Sequence, residues 1–151
     1  MQIFATYNCP IKSAKYLDNK RVIKQVLESA QLLSNAIHLN NGVGPYKLTH
    51  RHHPLTISVK SSRSNYKWLL EHFYALCKEY TRRFNKVHKC RYLSTYFETN
   101  VNLIPDNELY FVNCTDFKDI QDVHLAYRIC LRKKWKNDII KPRWRKKWVQ
   151  D

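Results

Sequence analysis

Glycine is scarce in this chain, with two in 151 residues, and acidic side chains number 12 against 27 Lys and Arg. The shortage of glycine excludes collagen-like and Gly-rich linker architectures. No stretch reaches the roughly 18 uncharged apolar residues of a membrane span. The start, Met1-Gln2-Ile3-Phe4-Ala5, has neither the basic beginning nor the apolar run of a secretion signal, which points to a soluble, cytoplasmic protein, in the host cytoplasm if viral. Five cysteines, odd in number and without a Cys-x-x-Cys pair, suggest neither a disulfide framework nor a zinc ribbon, and read as reduced structural thiols. The chain also lacks a P-loop, a Gly-x-Ser-x-Gly elbow and a dinucleotide fingerprint, so ATP hydrolysis, acyl transfer and hydride transfer have no support, and no cofactor is expected.

What is present is apolar material and positive charge. A content of 44% hydrophobic and 13% aromatic residues supports one compact domain over residues 1–151. The formal charge of +15 is uneven: +11 over residues 1–100, −4 over 101–125 and +8 over 126–151. Such a field favours a polyanion, and nucleic acid is the commonest, because each phosphate neutralised by Lys or Arg releases a condensed counterion. An anionic membrane surface fits less well, since the basic segments are not strongly amphipathic.

The pattern predicts a mostly α fold of about four helices with long loops and little strand. Gln2 to Tyr7 alternates as a strand or an extended arm would, and Pro10 sits where a helix can begin. From Asp18, a plausible N-cap, apolar residues at Val22, Val26, Ala30, Leu33 and Ile37 mark an amphipathic helix that Gly42 and Gly44 end. Residues 40–63 read as a long irregular loop, of the kind that is more often functional than structural. A second strong helix is predicted from about Ser64 to Asn85 and a third through Lys89 to Glu98. A loop with a short extended piece, Leu109 to Val112, follows, and then a last helix from near Asp116 with Ile120, Val123, Tyr127 and Leu131 inward. The end, about residues 132–151, is a basic Trp-rich tail.

Several groups of residues are candidates for chemistry. On the first long helix Glu28 falls opposite the apolar positions, in a stripe with Arg21, Lys24, Gln31 and Asn35. Two readings fit: an exposed Lys24–Glu28 pair at i, i+4, or an acid among cations and amides that hold a polyanion. His50, His52 and His53 lie in the long loop, where they suit contact with phosphates or an extruded base, or an ordinary polar loop. No cluster completes a metal site with them. Arg63 and Asn65, at the next helix start, offer a phosphate a cation and backbone N–H groups. In the tail, Arg143, Trp144 and Arg145 can stack on bases, or the indole can pack on the core.

The opening Met1-Gln2-Ile3-Phe4, the stretch from Arg21 to Glu28 with Gln31, the segment Tyr66-Lys67-Trp68-Leu69-Leu70 through Glu79 to Asn85, and the Trp-rich basic end together resemble the phage pyrimidine-dimer DNA glycosylases of the endonuclease V type. They are more similar still to a set of uncharacterised phage proteins near that group. The resemblance implies that Glu28 is the catalytic glutamate and that the end of the later helix, with Arg82 and Arg83, takes part in binding DNA. It also implies an α-amine nucleophile. In that family the amine belongs to a small residue exposed by loss of the initiator Met. Here Gln2 is large and leaves Met1 in place, so the candidate amine is that of Met1, displaced by one residue. Leu27 and Gln31 stand where the family has arginines that touch DNA. The resemblance therefore carries base removal, and carries neither Schiff-base strand cleavage nor pyrimidine-dimer specificity. The expected protein is a monomer that binds double-stranded DNA, with no membrane and no nucleotide cofactor, and acts on the N-glycosidic bond of a damaged or modified pyrimidine nucleotide. The alternatives are base modification by group transfer on the same scaffold and a basic DNA-binding protein without an active site.

Overall fold

The computed structural model describes residues 1–144. Among them are six α-helices and two short 3-10 turns, and no strand. Gln2 to Tyr7 has no regular secondary structure and turns at Thr6, whose N donates to Phe4 O at 2.8 Å, with Ile3, Phe4, Ala5 and Thr6 buried. Pro10 opens α1 (Pro10–Tyr16), where a missing N–H breaks no helical bond. Asp18 is the N-cap residue of α2 (Asn19–His38), yet its carboxylate makes no capping bond; it accepts from Trp135 Nε1 at 2.8 Å and pairs with Arg21 at 3.2 Å. The helix ends at His38, and Gly42 N then donates to Ile37 O at 2.9 Å.

Residues 40–63 are not irregular throughout. They contain α3 (Pro54–Ser61), with Pro54 in its first turn and the His53 ring accepting from Leu55 N at 3.1 Å. Eight residues give one repeat of the apolar spacing, Leu55 and Val59, too little for a helical period to stand out. Helix α4 (Arg63–Phe84) starts on Ser62, whose Oγ accepts from Asn65 N at 3.2 Å, and ends on Asn85 in the left-handed region. The expected helix over 89–98 is divided into a 3-10 turn, Lys89–Leu93, and α5 (Ser94–Thr99). The last helix, α6 (Val123–Asn137), begins seven residues after Asp116, because Asp122 is the residue whose carboxylate accepts from His124 N and Leu125 N. Asp116 instead follows a turn in which Asn113 Oδ1 accepts from Thr115 N and Oγ1. Leu109 to Val112 has no regular secondary structure and belongs to no strand.

The long helices α2 and α4 pack on each other, α1 lies on α4, and α3 lies on α2. Buried side chains from Ile3 to Leu131 form one cluster. Helix α6 closes it over the N-terminal arm: His124 Nδ1 lies 2.7 Å from Ala5 O, Arg128 donates to Thr6 O at 2.6 Å, and Tyr127 packs edge-on against Phe4. No helix among the described residues is long and apolar enough to cross a membrane.

Candidate active site

Helix α2 places Glu28 at the boundary between its buried face and solvent, where the carboxylate is half-buried. Burial pushes its pKa up. Lys24, the α-ammonium of Met1 and a hydrogen bond from Gln25 Nε2 oppose the shift by favouring the charged form. The field of the Met1 α-ammonium thus reaches the acid. The Met1 side chain is fixed against α3, where Thr56 Oγ1 is 3.9 Å from Met1 Sδ. Behind it, Gln2 Nε2 donates to Cys114 O at 3.3 Å.

The loop between α2 and α3 packs on the later turns of α2. Ser34 Oγ accepts from Tyr46 N at 2.9 Å and His38 Nε2 lies 2.7 Å from Tyr46 O, while Asn35 Nδ2 donates to Thr49 O at 2.7 Å. Gly44 makes this seat possible. A Cβ there would meet Ser34 Oγ and its carbonyl oxygen, and His38 Cδ2 at 2.7 Å. At the end of the loop, burial, the Met1 ammonium and His50 all push the His53 pKa down. Because its Nδ1 accepts from Leu55 N, a neutral His53 carries its proton on Nε2 and can donate from that atom. The His50 and His53 rings are 6.4 Å apart and edge to face.

Of the candidate residues, Lys24 and Met1 bear electrostatically on Glu28, and Met1 bears on His53 as well. Gln31 is half-buried on the same helix, and His50 and His52 are exposed on the adjoining loop. Others are elsewhere or otherwise engaged. Asn35 lies behind the loop rather than on an open stripe, fully buried and bonded to Thr49 and Thr56, so it cannot reach a phosphate. Asn65 is buried too, donating to Ser58 O at 3.0 Å and accepting from Tyr110 N at 2.8 Å. Arg83, 1% exposed, is a structural cation: it binds Glu79 at 2.9 Å, Leu17 O at 2.7 Å and Asn19 Oδ1 at 3.2 Å. Arg21 is held by Asp138 at 2.8 Å as well as by Asp18, and Arg63 donates to Ile104 O at 3.1 Å and Asn102 O at 3.3 Å. Arg82 is exposed and pairs with Glu79 at 2.7 Å. Arg143 accepts from Asn19 N through its carbonyl at 2.7 Å. Trp144 packs, its Nε1 donating to Tyr16 O at 2.8 Å and its ring lying edge-on to Trp135. Arg145 lies outside the described residues.

Sequence reasoning passed over Gln25. It lies between the apolar stripe and Glu28 on the helical wheel, three residues before the acid, and that spacing was the available signal. Among the described residues no three His, Cys, Asp or Glu side chains are placed to hold a metal ion. Chemically, the arrangement offers an acid, an amine and an imidazole N–H at the edge of a cationic helix.

Comparison with curated proteins finds no match, nor does comparison with solved structures. A family model described as pyrimidine dimer DNA glycosylase matches residues 1–92, which takes in Met1, Gln25, Glu28, the histidine loop and all of α4. The candidate residues from Met1 to Arg83 lie within that span, and the chain belongs to the pyrimidine dimer DNA glycosylase family.

Proposed function

We propose that the protein cleaves the N-glycosidic bond of a damaged or modified pyrimidine nucleotide in double-stranded DNA. The observation that carries this reading is the half-buried Glu28 of α2, held by Gln25 Nε2, inside the segment that the family model matches. A base inside the stack is out of reach, so the nucleotide is extruded from the duplex or the duplex is distorted around it. Lys24, His50, His52 and His53 hold the backbone or the extruded base. Glu28 stabilises the positive charge that grows on the sugar as the bond to the base lengthens, and accepts a proton from the nucleophile. That nucleophile is water, or the neutral Met1 amine. Water gives free base and an abasic sugar, whereas the amine forms a covalent bond to C1′ as the base leaves.

The test is incubation with undamaged and UV-irradiated duplexes, with and without borohydride. Glu28→Gln is expected to lower base release by about 10²–10⁴-fold while DNA affinity stays level or rises. Borohydride trapping of protein on DNA assigns the amine as nucleophile; release without trapping assigns water. Affinity should fall steeply between low and physiological salt, as binding through phosphates requires. If no duplex releases a base, the reading fails and a DNA-binding role without catalysis replaces it.

A further inference from the structure

We infer that Gln25 positions Glu28 and also receives the nucleophile: its amide N–H holds the carboxylate, and its carbonyl oxygen accepts a hydrogen bond from the group that Glu28 deprotonates. This rests on the proposed glycosidic reaction and adds a residue to it. Gln25 is 2% exposed, and its Nε2 donates to Glu28 Oε2 from one turn earlier on α2. Its Oε1 is buried without a hydrogen-bond partner, and so is Ser29 Oγ, one turn further along the same face. Leaving a buried amide oxygen without a donor is destabilising, and native folds seldom do so without a functional reason. One planar amide joins the bound N–H to the free oxygen, so the free acceptor lies next to the acid. What it lacks is a donor, and both candidate nucleophiles supply one.

The step balances with water as follows. One O–H donates to Gln25 Oε1 and the other proton passes to Glu28 as the oxygen lone pair bonds to C1′. The C1′–N electron pair leaves with the base, which takes a proton from solvent. With the amine, one N–H donates to Gln25, a second proton passes to Glu28, and the nitrogen bonds to C1′. The charged groups that act on Glu28 are Lys24 on its own helix and the Met1 amine on the arm; on the loop, His50 acts on His53, which shares the field of that amine. Gln25 differs from all of them in being neutral at every pH, so it can hold the carboxylate without competing for the proton.

The test compares wild type with Gln25→Leu, which preserves bulk and removes both hydrogen bonds, and with Gln25→Glu, which keeps acceptor oxygens and loses the amide donor. Melting curves establish that each variant is folded. On a duplex from which wild type releases base, Gln25→Leu is expected to lower kcat about 100-fold through loss of orientation, with KM little changed. The acid limb of its pH profile should move to higher pH, because the charged form of Glu28 has lost a donor. In Gln25→Glu that limb should move further, because two adjacent carboxyls compete for one proton. A folded Gln25→Leu with wild-type kcat and an unmoved acid limb overturns the proposal. Wild type that releases no base from any duplex overturns the reaction on which the proposal rests. Carbon-13 titration of the Glu28 carboxyl without DNA separates the two failures: a pKa equal in wild type and Gln25→Leu refutes the positioning role whatever the activity.

Discussion

His72 carries no exposed surface; its ring stacks on Trp68 at 5.1 Å, and its Nδ1 lies 3.0 Å from Pro10 O. Burial pushes its pKa down to about 4, against the upward pull of the hydrogen bond to Pro10. An unfolded imidazole titrates at about 6.5, so between those values the unfolded chain takes up a proton that the folded chain refuses. Stability is therefore lost as pH falls from about 6.5 to about 4, by about 3 kcal/mol in all. His72→Phe retains the stacking and loses the bond to Pro10, at a cost of about 1 kcal/mol at pH 7. In urea titrations at pH 7 and pH 4.5, wild type should lose more stability between the two conditions than the variant; equal losses would mean that the folded protein protonates His72 freely. Glu28 has the opposite sense of shift. Its raised pKa makes the ionised form unfavourable to the fold above the ordinary carboxylate range, a common condition for a carboxyl used in chemistry.

At the scale of elements, the site depends on the fit of the loop over α2. Gly44→Ala places a methyl group where Ser34 and His38 already stand, and overpacking of this kind costs about 1–3 kcal/mol. Its effect should be local. Hydrogen exchange at Tyr46 N, now bonded to Ser34 Oγ, is expected to quicken more than exchange in the middle of α4, while unchanged protection would show that the loop absorbs the methyl group. The same loop explains what the sequence did and did not disclose. Long amphipathic repeats made α2 and α4 legible, and the polar stripe on α2 disclosed Glu28. A helical wheel knows nothing of a loop that folds back, so Asn35 looked open to solvent although Thr49 and Thr56 enclose it. Arg83 and Asn65 misled in the same way, as polar residues that are paired inside the fold rather than displayed on it. Three aspartates, Asp116, Asp119 and Asp122, could each begin the last helix, and the turn held by Asn113 and Thr115 leaves the role to the third.

Across the whole molecule, the acid and its neighbours lie within residues 1–92, yet much that steadies them comes later in the chain. Phe97, Ile104, Tyr127 and Leu131 are buried in the common cluster, and Tyr66 OH donates to Phe97 O at 2.7 Å. A chain cut after residue 92 exposes their partners, among them Phe73, which packs edge-on against Phe97 at 5.6 Å. Such a fragment is expected to show helical circular dichroism without a sharp thermal transition. A cooperative melt like that of the full chain would show that the later residues are dispensable.

The pairing of Arg21 with Asp138, together with that of Trp135 with Asp18, attaches the end of α6 to the first turn of α2, two turns before Glu28. The matched segment and the cooperative unit thus have different borders in this chain. The family match covers residues 1–92, while the mechanical frame of the acid reaches at least to Asp138. A graft or library confined to the matched segment would carry every proposed catalytic group without the anchor that Asp138 and Trp135 give to α2. Substitutions near the C-terminal end of α6 are therefore expected to disturb the setting of Glu28 from a distance.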